Sequence, residues 1–571
     1  MKTRIKFVTV RMCFVALLAG TQDSSVQGAA PIAQQAYIKA SNTESNDAFG
    51  WSVAISGDTM VVGAHDEGSS ASGVNGNQND NSLFRAGAAY VYVRTGTNWT
   101  QQAYLKASNT GAYDVFGWSV AISGDTVVIG AFGEDSSGTG VNGNQNDEGI
   151  NGAGAAYVFV RSGSNWSQQA YLKASNPGYH NWFGYVVAIS GDMLVVGAYG
   201  EESNATGING NQSNNTAPGS GAAYVFVRSG TNWSQQAYLK ASNTEAGDEF
   251  GSAVAISGDT IVIGAEGEDS NATGVNGNQS NNSASYSGAA YVLVRSEINW
   301  TQQAYLKASN TRTAAEFAGT VAISGDTLVV GSGSESSNAT GVDGNQSNTS
   351  APEAGAAYVF VRNGTNWGQQ AYLKASNAEA GDQFAKVAVS GDTVVIGAVS
   401  EPSNATGVNG NQNDNSAPIA GAAYVFVRSG TNWSQQAYLK ASNTRPYDEF
   451  SWGVAVSGDT VVIGADGEFS DATGVNGDQS NTNAPVAGAA YVFTGLGPLA
   501  PQLAIEQSAA NVRVFWPLAA ANFLLDEADD LNVSPTINWT QVALPRQTNA
   551  THISVTVPLP AGNKFYRLRK Q

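Results

Sequence analysis

Acidic side chains stand within four residues of the end of a short apolar strand that the chain repeats seven times. They are Asp66 and Glu67, Glu134 and Asp135, Glu201 and Glu202, Glu268 and Asp269, and Asp466 with Glu468. The fifth and sixth copies keep only Glu335 and Glu401 there. Each group opens a long loop, such as HDEGSSASGVNGNQNDN from His65 or EGEDSNATGVNGNQSNN from Glu266. Carboxylates and Asn amides gathered from seven loops would form a rim able to bind a cation or a polyhydroxylated ligand. The plainer alternative is that Gly, Asn, Asp and Ser are what long turns require, copied by duplication. Calcium takes about six to eight oxygens. The NGNQ segments offer neutral oxygens, so few carboxylates predict weak calcium binding by the long loops, and neither a firm cofactor nor a dedicated metal site is expected.

Catalytic machinery of a familiar kind is not visible. His65, His180 and His552 are unrelated in the repeat frame, and no nucleophile motif, metal-binding His pair or phosphate loop occurs. An acid–base pair among the loop carboxylates stays open, because spacing across a ring is invisible in a linear sequence. No catalytic residue is assigned.

The loops hang on a hairpin, first met as FGWSVAISGDTMVVGA from Phe49. It returns from Phe116, Phe183 and Phe250, and in looser forms from Phe317, Phe384 and Phe450. Phe49, Trp51, Val53 and Ile55 alternate with Gly50, Ser52, Ala54 and Ser56, the period of two of a strand with a bulky and a small face. Gly57-Asp58 supplies a tight turn, with Gly at the position needing positive φ. Such a hairpin is not stable alone, and its small face lets a neighbouring sheet come close.

The tetrapeptide QQAY begins at Gln34, Gln101, Gln168, Gln235, Gln302, Gln369 and Gln435, five intervals of 67 and one of 66 residues. Each unit holds the hairpin, the long loop, a strand like GAAYVFVR, a turn such as SGTNW, and QQAYLKAS. Four strands per unit is the content of one β-propeller blade. The first QQAY precedes the first hairpin and none follows the last GAAYVF. Residues 33 to 41 should therefore pair with residues 488 to 494, leaving no open edge. FAKVAVS from Phe384 is one residue short, and the deletion must be absorbed near Ala385 and Lys386 by an irregular pairing.

At the N-terminus Lys2, Arg4, Lys6 and Arg11 precede an apolar run from Met12 to Ala19, and Gly28, Ala29 and Ala30 offer a cleavage site. This reads as a secretory signal peptide over residues 1 to 30. The run is too short for a mature membrane span, and Thr21 stands where a lipoprotein signal would carry its Cys. Cys13, the only cysteine, would leave with the signal, so no disulfide is expected in the mature chain. Removal takes away four cations and Asp23, moving the net charge from −19 to −22. That argues against nucleic acid or an anionic membrane as partner.

Phe49-Gly50 and Gly63-Ala64, recurring with variation before a GAAYVFV-like strand, resemble the FG-GAP repeats of integrin α-subunit propellers and their bacterial relatives. The resemblance covers roughly residues 33 to 497 and implies a seven-bladed propeller used for extracellular adhesion or ligand binding. One departure matters. Many blades of that family carry a DxDxDG calcium loop between the two strands, whereas here the connection is only Ser56-Gly57-Asp58 and its equivalents. The family's metal site is not carried over, and Asp58 reads as a turn residue.

The expected architecture is all-β: a signal over 1–30, a seven-bladed propeller over 31–497 closed by the N-terminal strand, and a small C-terminal sandwich-like β domain over 498–571. The expected function is a secreted or cell-surface binding or adhesion module, monomeric, presenting its loop-rich face to an extracellular protein or glycan. A propeller hydrolase using loop carboxylates, or a structural envelope component, are the alternatives.

Overall fold

The computed structural model describes residues 8–10, 31–496, 504–508, 511–517, 523–528, 539–548, 552–558 and 564–570. The chain divides into two units, Ile32–Gly497 and one made of Met1–Pro31 with Pro498–Gln571.

The first unit is seven four-stranded antiparallel sheets, one for each repeat. In the first blade Phe49–Ser56, Thr59–Ala64, Ala88–Thr95 and Asn98–Leu105 pair in that order. The first strands of successive blades pack on one another, and that of the seventh, Val454–Ser457, packs on that of the first. The ring is therefore closed, with the first strands at its hub. Seven apolar cores lie between neighbouring sheets. The one between blades seven and one, for example, joins Ile38, Val462 and Val492 to Phe49, Val62 and Tyr90. Sheets whose two faces are both buried this way need apolar residues along the whole second strand, and Thr59–Ala64 is buried throughout.

The seam closes as the repeat frame requires. Ala33–Ile38 pairs with Ala489–Thr494 as the outer strand of the seventh blade. On the face that carries the Gly-Asp turns, the amide of each turn glycine donates to the serine ending the preceding blade's first strand. These bonds run without a break from Gly124 N to Ser56 Oγ round to Gly57 N to Ser457 Oγ, each 3.0–3.1 Å long.

The opposite face carries the long loops and the connectors between blades. There the two glycines that mark each hairpin have a steric reason. Gly50, Gly117, Gly184 and Gly251 take φ of 91–99°, a region where a Cβ is costly. A methyl on Gly63, Gly130, Gly197 or Gly464 would run into the carbonyl oxygen of Gly117, Gly184, Gly251 or Gly50 of the adjoining blade. In blades four and five the pairing skips two residues after Phe250 and Phe317, whereas in blade six it skips one, from Phe384 to Lys386. The deletion is thus taken out of a bulge that its siblings already possess.

The long loops fold back rather than project. Val74, Val141, Ile208, Val275, Val342 and Val408 each bridge the last leucine of their own blade's outer strand, and Val475 bridges Ile38. The next residue, Asn75 in the first copy, adopts φ 56° and accepts from the Tyr104 amide at 2.9 Å.

In the second unit the described strands form two four-stranded sheets. One contains Ala504–Ser508, Asn511–Pro517, His552–Pro558 and Arg546–Thr548; the other contains Val8–Val10, Lys564–Lys570, Phe523–Ala528 and Thr540–Gln541. Val514, Trp516 and Val555 from one sheet share a core with Leu525 and Tyr566 from the other. Most of the segment read as a signal peptide lies outside the described residues. Its described part, Val8–Val10, pairs with Lys564–Tyr566.

Candidate functional site

The structure places the ten loop carboxylates in three different settings. Glu67, Glu134, Glu201, Glu268 and Glu468 are buried, as are Glu335 and Glu401 at the same position. Each accepts from the lysine that follows QQAY in its own blade's outer strand, at 2.6–3.0 Å: Lys106, Lys173, Lys240, Lys307, Lys39, Lys374 and Lys440 respectively. The rest of the set is equally regular. In the first blade Tyr104 Oη donates to Glu67 Oε1 at 2.9 Å, and Asn42 Nδ2 donates to the same oxygen at 2.9 Å. Tyr90 Oη donates to Asn42 Oδ1 at 2.6 Å. Asn42 comes from the connector preceding the blade, so the carboxylate clasps second strand, outer strand and connector together. A buried charge this fully paired is structural, and these glutamates offer no free oxygen to a ligand.

A second setting is local turn chemistry. Asp135 Oδ1 accepts from the Gly152 amide at 2.7 Å, and Asp269 Oδ1 from the Tyr286 amide at 2.8 Å. Glu202 stands half-buried on its loop. Among the described residues no three His, Cys, Asp or Glu side chains converge to hold a metal ion. Asp58, at the opposite turn, accepts from Arg94 Nε at 2.8 Å.

The third setting is the hub of the loop face, where Asp66 and Asp466 lie. The third residue of each first strand, counted from its Phe, sits there: Trp51, Trp118, Tyr185, Ser252, Gly319, Lys386 and Trp452. The blades differ here, as they do in the connectors on the same face. On one side Trp51 lies 4.5 Å from Trp118 and 4.6 Å from Trp452, ring centre to centre, and Trp118 is 5.7 Å from Tyr185. The residue just past the second strand adds a second tier: His65 is 4.5 Å from Trp51, Phe132 4.8 Å from Trp118, and Tyr199 4.4 Å from Tyr185. These tilted and edge-on arrangements are those that aromatic quadrupoles favour.

The other side is small and ionisable. Gly319 leaves room that Glu266 uses, since a methyl there would lie 2.7 Å from Glu266 Oε2. A methyl on Gly333, the second-tier residue of the fifth blade, would meet nothing nearer than Ala385 Cβ at 3.8 Å. Lys386 Nζ stands 4.5 Å over the Trp452 ring and makes no ion pair, its ammonium disfavoured by burial and supported by Glu266 and Asp466. Burial, then Glu249 and Glu316, push Glu266 up to about 7, with a hydrogen bond between the Glu249 and Glu266 carboxyls. Burial, then Glu449, push Asp466 up to about 8. Burial holds His65 down at about 4, against the pull of Asp66, whose Oδ1 accepts from Arg85 Nε at 2.5 Å. Desolvation thus shifts Glu266, Asp466, His65 and Lys386 toward their neutral forms.

Six buried polar atoms at this end of the ring have no hydrogen-bond partner: His65 Nδ1, Asp466 Oδ1 and Ser252 Oγ around the hub, Ser451 Oγ packed toward Gly397, and Asp448 Oδ1 and Arg312 Nη1 in the connectors. Buried polar groups are normally satisfied, so their gathering here is informative. Reading the loops from sequence missed the hub because its residues come from strand ends. The signal was present in the divergence of Trp51, Trp118, Tyr185, Ser252, Gly319 and Trp452 at one repeat position, with Lys386 beside the deletion of the sixth copy.

Seven segments match the model of the FG-GAP repeat, at residues 32–92, 99–159, 166–226, 233–293, 300–360, 367–426 and 433–493. Each match opens at the outer strand of one blade and closes within the third strand of the next. Among curated proteins no match is found.

Proposed function

The chain belongs to the FG-GAP repeat family, and from that premise we propose that it is a secreted or cell-surface binding module whose ligand, an extracellular protein or glycan, docks on the hub of the loop face. The observation carrying this reading is the contrast between repetition and divergence. Clasp and turn ring are copied around the ring, while the hub brings Trp, Tyr, Ser, Gly and Lys together around the axis. Concave or flat surfaces rich in aromatic rings with a few convergent polar groups are what ligand sites are made of. Secretion is supported by the basic, apolar and small-residue order of the first thirty residues. No described helix is long and apolar enough to cross a membrane.

The test is capture. Residues 31–571, immobilised, are exposed to arrays of extracellular proteins and glycans, alongside Gly333→Trp and the loop variant Glu202→Gln. Ligands retained by the parent should be lost from Gly333→Trp and kept by Glu202→Gln. The opposite pattern would move the site to the long loops.

One observation favours a second reading. A carboxyl pair in which Glu266 titrates near 7 beside Glu249 has the character of a general acid, as a propeller hydrolase would use. In that case Glu266→Gln would abolish turnover of a captured glycan while leaving its capture intact.

A further inference from the structure

The hub also carries information about what it would hold. Its unpartnered atoms are of mixed kind: the Ser252 hydroxyl donates and accepts, His65 Nδ1 does either according to tautomer, and Asp466 Oδ1 belongs to a carboxyl. His65 and Asp466 are 96% and 94% buried, from exposures of 4% and 6%. An ammonium would satisfy only acceptors in such a set, and a carboxylate or phosphate only donors. Hydroxyl groups do both. Beside these atoms stands the aromatic arc of Trp452, Trp51, Trp118 and Tyr185, the apolar surface that the C–H face of a sugar ring covers. Across from the arc, Ser252, Gly319 and Gly333 withhold the bulk that the aromatic blades place at those positions, and a methyl on Gly333 would touch only Ala385 Cβ, at 3.8 Å.

Resting on the reading that the ligand docks at the hub, we propose that the occupant is a neutral pyranose unit of a glycan, set against the aromatic arc on the side where Gly319 and Gly333 carry no side chain, with its hydroxyls answering the orphaned atoms of blades one, four and seven. The charged groups around it are accounted for separately. Asp66 is held by Arg85, Glu316 accepts from Ser334 Oγ at 2.8 Å, Glu249 shares a hydrogen bond with Glu266, Glu449 is itself pushed up by burial, and Lys386 is covered by Trp452. The set is therefore better matched to an uncharged ligand than the count of carboxylates suggests, most of all below about pH 7. Because Asp466 recognises a hydroxyl in its protonated form, sugar affinity falls as it ionises.

The experiment uses the full mature chain on a printed array of neutral, amino and acidic oligosaccharides, followed by titration calorimetry with the neutral oligosaccharide retained most strongly. Affinity should hold from pH 5 to 6 and fall by about tenfold or more toward pH 9. Asp466→Asn, which keeps shape and cannot ionise, should bind within about threefold at pH 6 and lose less of its affinity at pH 9. Gly333→Trp should abolish binding with its thermal midpoint unchanged; if that variant unfolds, Trp452→Ala and the Asp466→Asn pH profile decide. Retention of amino or acidic sugars alone, affinity that rises with pH, or no neutral glycan retained would each overturn the sugar assignment. In the last case a protein captured by the parent and lost from Gly333→Trp would leave the hub as the docking site with a different occupant, whereas no hub-dependent capture at all would remove both.

Discussion

Lys39 Nζ donates to Glu468 Oε2 at 2.8 Å across 429 residues of chain, with both side chains fully buried. In the other six blades the equivalent lysine follows its glutamate within the same blade. Here the lysine arrives on the N-terminal strand, so the last clasp of the ring is also its lock.

Glu468→Ala leaves Lys39 buried without a counter-charge, which costs about 3–5 kcal/mol. Glu134→Ala should cost a similar amount in its own blade. Only Glu468→Ala should also release the strand Ala33–Ile38, because nothing covalent holds it to its neighbour. Amide exchange of residues 33–38 should rise sharply in Glu468→Ala and stay slow in Glu134→Ala; equal protection in the two would contradict the lock.

The connector aspartates make stability depend on pH. Asp114, Asp248, Asp382 and Asp448 are buried, and burial pushes each up to about 7, whereas an unfolded Asp titrates near ~3.9. Folding therefore retains protons, and the contribution is full below about pH 4 and lost as pH rises to about 7. The third copy carries Asn181 at this position, so Asp248→Asn copies a solution already present. Its thermal midpoint should match the parent near pH 4, exceed it by a growing margin to about pH 7, and keep a constant margin above. A margin independent of pH would refute this.

Gly464→Ala would drive a methyl into the Gly50 carbonyl oxygen of the first blade. Backbone offers no flexible end to move aside, so the two blades must separate, at about 3 kcal/mol or more. Gly57→Ala on the opposite face meets no atom within 4 Å and pays only for its φ of 59°, about 1 kcal/mol. Urea denaturation of the two variants should rank them in that order.

Two copies depart from the Phe-Gly pattern and keep its backbone. Ala318 has φ 74° and Ser451 φ 88°, a region that suits glycine. Ala318→Gly and Ser451→Gly should each stabilise by about 1 kcal/mol. Ala385→Gly should not, because the deletion in the sixth copy relieves Ala385 of positive φ. Denaturation midpoints of the three variants check this.

The ring and its seam were legible in the linear sequence because strand alternation from Phe49, the Gly57-Asp58 turn and the QQAY frame are local signals repeated seven times. The clasp was only half legible. Glu67 and Lys106 recur in every copy, yet their meeting depends on a fold that brings together residues 39 apart in the chain. Loop carboxylates looked like a rim because their burial is decided by the outer strand, not by their own neighbours. The hub was hidden for a related reason: Trp51, Trp118 and Trp452 meet only around the axis, and each alone reads as one bulky position in an alternating strand.

The most direct test of the binding account is hydrogen–deuterium exchange of residues 31–571, free and saturated with whichever array ligand is retained most strongly. Docking at the hub predicts protection confined to the starts of the first strands and the ends of the second, around residues 49–53, 64–67, 264–267, 317–320 and 450–454, with the long loops unchanged. Protection concentrated in the loops around residues 70–82, 137–149 and 204–216, with the hub unchanged, would contradict it.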